Sequence, residues 1–108
     1  MRLVVIESPY AGDVAANLTY LRACLRDSLL RGESPIASHG LYTQPGVLDD
    51  TIPEEQTLGI HAGFAWNKHA ELTAVYTDRG ISPGMQYGID AADADGRPVE
   101  YRTLPTQA

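Results

Sequence analysis

The 108-residue chain predicts an α/β domain: an open, doubly wound parallel sheet of about four strands in the order 2-1-3-4, flavodoxin-like in plan and flanked by helices. Three observations carry this. Short unbroken apolar runs at 3–6 and 72–76 match strands buried on both faces of a parallel sheet. Longer stretches of helical character separate the strand-like runs, at a spacing that suits right-handed crossovers. No internal repeat or linker interrupts the alternation, so residues 1–104 read as one domain and 105–108 as a loose tail.

The elements follow in order. After the first strand, the turn 7–12 leads to Asp13, a good N-cap. Val14, Leu18, Leu21, Leu25 and Leu29 then recur at helical spacing until Gly32 stops the helix. A second strand is expected at 35–38 and a long loop at 39–51. Pro53 suits a helix first turn, with Glu54 and Glu55 well placed against the dipole; that helix runs to about His69 with Leu58, Ala62, Ala65 and Trp66 inward. The third strand spans 72–76, the third helix 84–93, and Asp95-Gly96 closes it before a last strand at 99–104.

Composition narrows the function classes. The charged fraction of 20% and hydrophobic fraction of 44% are those of an ordinary globular protein. A net charge of −6 argues against a nucleic acid polymer as partner, because phosphate backbones require a basic surface. A small nucleotide held by backbone amides and one or two arginines stays compatible. No apolar run has the length of a membrane span, and the chain opens directly on a strand, so a cytoplasmic protein without signal peptide is expected. Cys24 is the only cysteine, which leaves no internal disulfide and no cysteine metal cluster.

In such a sheet a ligand sits beyond the carboxyl ends of the strands where strand order reverses, here between the first and third strands. The loops converging there are 7–12 and 77–84, with 39 onward beside them. Ile81-Ser82-Pro83-Gly84-Met85-Gln86-Tyr87-Gly88-Ile89 places a small-residue turn between a strand and a helix, where free N–H groups attract anions. Ser82 offers a hydroxyl, Gly84 and Met85 offer amides, and Arg79 either pairs with a phosphate or is a solvated loop arginine.

The nine residues from Ile81 resemble the signature of the nucleoside 2-deoxyribosyltransferase-like family, including its small phage-type members. Ser8-Pro9-Tyr10-Ala11-Gly12-Asp13 resembles that family's first loop, and Ser38-His39-Gly40-Leu41-Tyr42-Thr43-Gln44 with Leu48-Asp49-Asp50 its second. The resemblance runs from the first strand to Val99. It implies sugar and phosphate contact from Ser8, Pro9, Tyr10, Ala11 and Gly12, with the Tyr10 ring over the ligand. It also implies His39 at the base, and Asp49 or Asp50 accepting from an exocyclic amine; a surface loop with capping aspartates is the alternative. The family's nucleophilic glutamate falls at Gly88, which cannot attack a sugar. Removing that side chain enlarges the pocket and removes a charge that repels phosphate. Glu7, ending the first strand, and Asp78, ending the third, are the carboxylates placed to substitute; Asp90 points away.

The expected function is therefore binding of a nucleotide or nucleotide-derived signal in a catalytically degenerate pocket. In a phage, sequestering a host immune messenger is one use. The alternative is a deoxyribosyltransferase or nucleotide N-glycosidase using Glu7 or Asp78, and a fold kept for protein interaction alone is the third. No cofactor and no metal are implied: His61 and His69 lack a paired acid motif, and Cys24 reads as core. A homo-oligomer is expected, with Phe64 and Trp66 at the interface.

Overall fold

A computed structural model describes residues 1–105; the last three residues of the expected tail lie outside the described residues. The elements are β1 (Leu3–Glu7), α1 (Val14–Leu30), β2 (Ser34–Ile36), α2 (Ser38–Leu41), α3 (Pro53–Asn67), β3 (Leu72–Tyr76), α4 (Pro83–Ala94) and β4 (Val99–Arg102). The four strands form one sheet in the order β2-β1-β3-β4 with every pair parallel, which is the expected topology. Val4 stands opposite Leu72 and Glu7 opposite Val75, so Glu7 reaches the carboxyl edge at the reversal point.

Side chains alternate across the strands and so build two cores. Val4, Ile6, Leu72, Ala74 and Tyr76 face α1 and pack on Tyr20, Leu21 and Cys24. On the opposite face Val75 and the part-buried Val99 pack against Met85 and Ile89 of α4. Asp13 caps α1 by accepting from the Ala16 amide at 3.1 Å. Burial pushes the Cys24 thiol up to about 12, which makes it an inert core residue.

Polar side chains complete the α1 face beside β4. The guanidinium of Arg102 donates to both Glu33 carboxylate oxygens at 2.7 Å, while Ser28 donates to Glu33 and Tyr76 donates to Asp27. The Arg102 hydrogen bonds hold the Glu33 carboxyl below its usual range. A buried bidentate pair was invisible in the sequence because its partners are 69 residues apart.

Three expectations are corrected. The stretch read as loop from His39 opens with a helical turn, α2, whose carbonyls are closed locally: Thr43 Oγ1 donates to the His39 carbonyl at 2.6 Å and Gln44 Nε2 to that of Gly40 at 2.8 Å. One turn is too short to carry a periodic apolar pattern. The last strand ends at Arg102 rather than Leu104, because the Leu104 amide is captured by the Asp78 carboxylate.

The third correction concerns α3, which is rotated by one residue, about 100°, from the expected face, so that of the four residues expected inward only Ala62 is half-buried. Leu58 and Trp66 are 58% and 61% exposed, whereas Gly63 and Asn67 are buried and Gly59 is half-buried. A Cβ on Gly63 would overlap the Ser38 hydroxyl, and one on Gly59 would come within 3.3 Å of Leu48. The helix is pulled inward along its smallest residues, so its backbone sits against α2 and its large apolar groups are left outside. Reading size as burial displaced the face by one residue.

Candidate functional site

The carboxyl end of β1 with the loop after it, α2 with the loop after it, α3 and the start of α4 enclose a cleft of about 490 Å³. That volume accommodates a nucleoside-sized molecule. It lies at the strand-order reversal, where an open α/β sheet offers its natural crevice.

Glu7 forms the floor. It is the last residue of β1 and shares the sheet face of α4, so its carboxyl extends toward Gly88. A Cβ built at Gly88 would overlap the Glu7 carboxylate. Burial pushes the Glu7 carboxyl up to about 8; the buried guanidinium of Arg97 pulls against this but does not overcome it. Arg97 is itself committed to Thr73 Oγ1 at 2.9 Å, the Asn67 carbonyl at 2.7 Å and Asp95 at 3.3 Å. At neutral pH Glu7 is therefore a neutral acid with a proton to donate.

One wall is polar. Ser8 Oγ lies 2.8 Å from His39 Nε2, and burial lowers the His39 imidazole to about 4. A neutral ring joined to a hydroxyl serves as donor or acceptor without adding charge. The loop carrying Ser8 and Tyr10 is held by Asn17, whose Nδ2 donates to the Tyr10 and Ala11 carbonyls at 2.9 and 3.1 Å. The other wall is aromatic: Phe64 of α3 stacks on Tyr87 of α4 with centroids 5.7 Å apart, and Tyr42 faces the same space.

The structure brings Glu7, Ser8, Tyr10, Ala11, His39, Ser82, Gly84, Met85 and Gly88 to the cleft. Gly12 lines an outer hollow that adjoins it through Tyr10, Ala11, Thr43, Leu48, Asp50 and Glu55, and Pro9 lines neither. Of the loop aspartates, Asp49 lines the outer hollow alone and caps locally, accepting from the Thr51 amide and hydroxyl; Asp50 lines both spaces.

Asp78 and Arg79, expected at the pocket, stand outside its lining. The Asp78 carboxylate is consumed by the Tyr20 hydroxyl at 2.6 Å and the Leu104 amide at 3.0 Å. Burial raises its pKa, but those hydrogen bonds outweigh the effect and hold it below its usual range. The Arg79 guanidinium lies over the Tyr20 ring, 5.1 Å from its centroid, on the α1 side of the sheet.

The phosphate turn expected at Ser82, Gly84 and Met85 retains one free amide. Ser82 caps α4 by accepting from the Met85 amide at 3.3 Å, its own amide points to the Met85 sulfur, and Gln86 N–H bonds the Ser82 carbonyl. Pro83 has no N–H at all, which leaves only Gly84. A lone amide is a poor anion cradle.

Sequence reasoning missed Tyr42, Phe64, Tyr87 and Asn17. The expected face of α3 leaves Phe64 at an interface, whereas the observed face brings it to the cleft. Among the described residues, no three His, Cys, Asp or Glu side chains gather to hold a metal. No described helix is long and apolar enough to cross a membrane.

The fold is similar to that of a solved 2-deoxyribosyltransferase from the psychrotolerant bacterium Bacillus psychrosaccharolyticus. The TM-score is 0.65 at 17% sequence identity, over 98% of this chain and 75% of that one. At that identity the likeness speaks for the fold. No curated protein matches the chain in sequence. A family model does, over residues 2–102, and the chain belongs to the family it describes, Domain of unknown function (DUF7768).

Proposed function

We propose that the protein binds a nucleoside-type small molecule, a base joined to a sugar with or without phosphate, in the cleft above Glu7. The observation that carries this reading is the composition of the cleft at the strand-order reversal. A stacked aromatic pair, a polar wall of Ser8 and His39 and the half-buried Glu7 carboxyl line it together. Aromatic rings accept a base face; the polar wall and the floor acid address hydroxyl and ring-nitrogen groups. The structural neighbour acts as a 2-deoxyribosyltransferase, which agrees with a ligand of this kind. Sequestration of a nucleotide-derived messenger, as by a phage protein, is the binding use that needs no chemistry beyond this.

A second reading is favoured by one specific observation, the Glu7 carboxyl placed over Gly88. The chain then cleaves an N-glycosidic bond: water bonds to the sugar C1′ as the C1′–N bond breaks, neutral Glu7 donates its proton to the departing base nitrogen, and the proton released by the water restores the acid; in transfer an incoming base takes the place of the water. Asp78 has no part in this, since its carboxylate is committed to Tyr20 and Leu104.

Mass spectrometry of small molecules released by heating the purified protein separates the readings. An intact nucleoside or nucleotide supports binding. Free base with the matching sugar supports turnover, and its loss in Glu7→Gln assigns the acid. No ligand, and none bound from a nucleoside and nucleotide panel, rejects both. The outward stripe Leu58, Ala65 and Trp66 on α3 is where we place contact with a second copy; light scattering that returns a strict monomer rejects it.

A further inference from the structure

The two edges of the sheet are not alike. Ser34 N–H donates to the Arg2 carbonyl, so the β2 residue that faces outward is Pro35, which has no N–H to offer. That edge is guarded against further pairing. At the other edge the Pro98 and Arg102 carbonyls accept from Thr73 and Thr77, so the even-numbered residues of β4 bond to β3. The N–H and C=O groups of Val99, Tyr101 and Thr103 therefore point away from the sheet. β4 is the last strand on that side, and no proline or lysine stands in those positions.

We propose that β4 pairs antiparallel with β4 of a second copy about a two-fold axis at Tyr101, joining the two sheets into one in the order β2-β1-β3-β4-β4-β3-β1-β2. The occupant is a second copy because the edge is complementary to itself in one register. Outward-facing groups must meet outward-facing groups, so symmetric pairing can only be centred on a residue between Val99 and Thr103. Centring on Val99 sets Tyr101 against Arg97, whose amide is already bonded to the Ala92 carbonyl. Centring on Glu100 sets that acid against its own copy, and like charges directly opposite repel. Centring on Arg102 or Thr103 sets Pro105, which has no N–H, against Val99 or Tyr101. Centring on Tyr101 leaves every outward group a partner: Tyr101 exchanges both bonds with its copy, and Val99 does so with Thr103 of the second copy.

The side chains agree with that register. It places Glu100 opposite Arg102 of the second copy, on the α1 face. The Glu100 side chain is 46% exposed and lies 3.0 Å from Arg102 of its own chain, so pairing gathers two acids and two arginines with opposite charges adjacent. On the α4 face Tyr101 is 57% exposed and meets its own copy, a cross-strand aromatic pair. The paired stretch is short, so the dimer is a dissociable one. This contact shares no residue with the α3 stripe and needs no ligand.

The test is analytical ultracentrifugation of the full chain from about micromolar to about millimolar concentration, with Tyr101→Pro, Glu100→Gln and Trp66→Ala beside it. The parent should self-associate reversibly. Tyr101→Pro removes an N–H that bonds nothing within the chain, so it should weaken association by about tenfold or more and leave the melting temperature of dilute protein nearly unchanged. Glu100→Gln should weaken association by about threefold, whereas it would strengthen a dimer in which Glu100 faced its own copy. Trp66→Ala should leave this association in place. Tyr101→Cys should yield a disulfide-linked dimer on mild oxidation, because directly opposed residues of a hydrogen-bonded pair have Cα atoms about 5.5 Å apart and Cys24 is buried. The cross-link also decides the matter if Tyr101→Pro fails to fold. A parent that stays monomeric, association that survives Tyr101→Pro or is abolished by Trp66→Ala, tighter association in Glu100→Gln, or no cross-link through position 101 each overturns the proposal.

Discussion

The Glu7 carboxylate occupies the space that a side chain at position 88 would need. One residue ends β1 and the other lies in α4, 81 positions along the chain, yet each defines what the other can be. Glycine at 88 is a condition for a carboxyl to reach the cleft floor from the sheet. The acid at the cleft comes from the end of β1.

Gly88→Ala should destabilise the fold by about 1–3 kcal/mol, the usual cost of forcing atoms into a packed space. Glu7→Ala in the same chain should recover most of that loss, because it removes the group the new methyl strikes. Urea unfolding of the two single variants and the double variant measures the coupling. Additive effects would mean that the two residues do not contend for one space.

Stability should fall as pH rises from about 6.5 to about 8. The Glu7 pKa is raised in the fold to about 8 from 4.5, so the unfolded chain ionises first and is favoured between those values. His39 acts in the opposite sense: its folded pKa is lowered to about 4 from 6.5, so it costs stability as pH falls through that window. The two oppose each other between roughly pH 4.5 and 6.5, and Glu7 dominates from there to about 8. Glu7→Gln should match the parent near pH 4 and exceed it by a few kcal/mol at pH 8, read as the difference between two melting series. A pH-independent difference would show that Glu7 is not held neutral.

Tyr10→Ala should weaken ligand binding by about 1 kcal/mol or more, the order of one base–aromatic contact, with little change in melting temperature. Tyr10 is only half-buried and no core cluster includes it. Phe64→Ala removes one ring of the stacked pair and should lower both affinity and stability. Calorimetry beside thermal unfolding separates the two patterns.

Glu33→Gln should cost about 3 kcal/mol, because it leaves the buried Arg102 charge with only the half-exposed Glu100 carboxylate as counter-charge. The cleft is lined by neither residue, so ligand affinity in the fraction that remains folded should be unchanged. Denaturant midpoints test the first statement and titration of the folded protein the second.

The amino-acid pattern alone determined the strand order, the crevice at its reversal, and most of the residues around it. Those follow from local features: unbroken apolar runs, a capped helix, small-residue turns, and the restriction of parallel crossovers to one hand. The loop after β1 and the residues Glu7, Ser8, Tyr10, His39, Ser82 and Gly88 could be placed because topology alone carries strand ends to one edge.

Tertiary structure decided the rest, wherever distance in space and distance in sequence part company. It turned α3 onto its glycine face, since close approach of backbones at Gly63 outweighs the periodicity of larger side chains. It drew Asp78 to Tyr20 and Leu104 and Arg79 over the Tyr20 ring, both away from the cleft, and set the Ser82 oxygen to accept from Met85 while its hydroxyl proton stays free. It also set Glu7 against Gly88 and shifted that acid's protonation by burial. Residue types state which interactions are possible; packing decides which partner arrives first, and a polar group already satisfied has nothing left to offer a ligand.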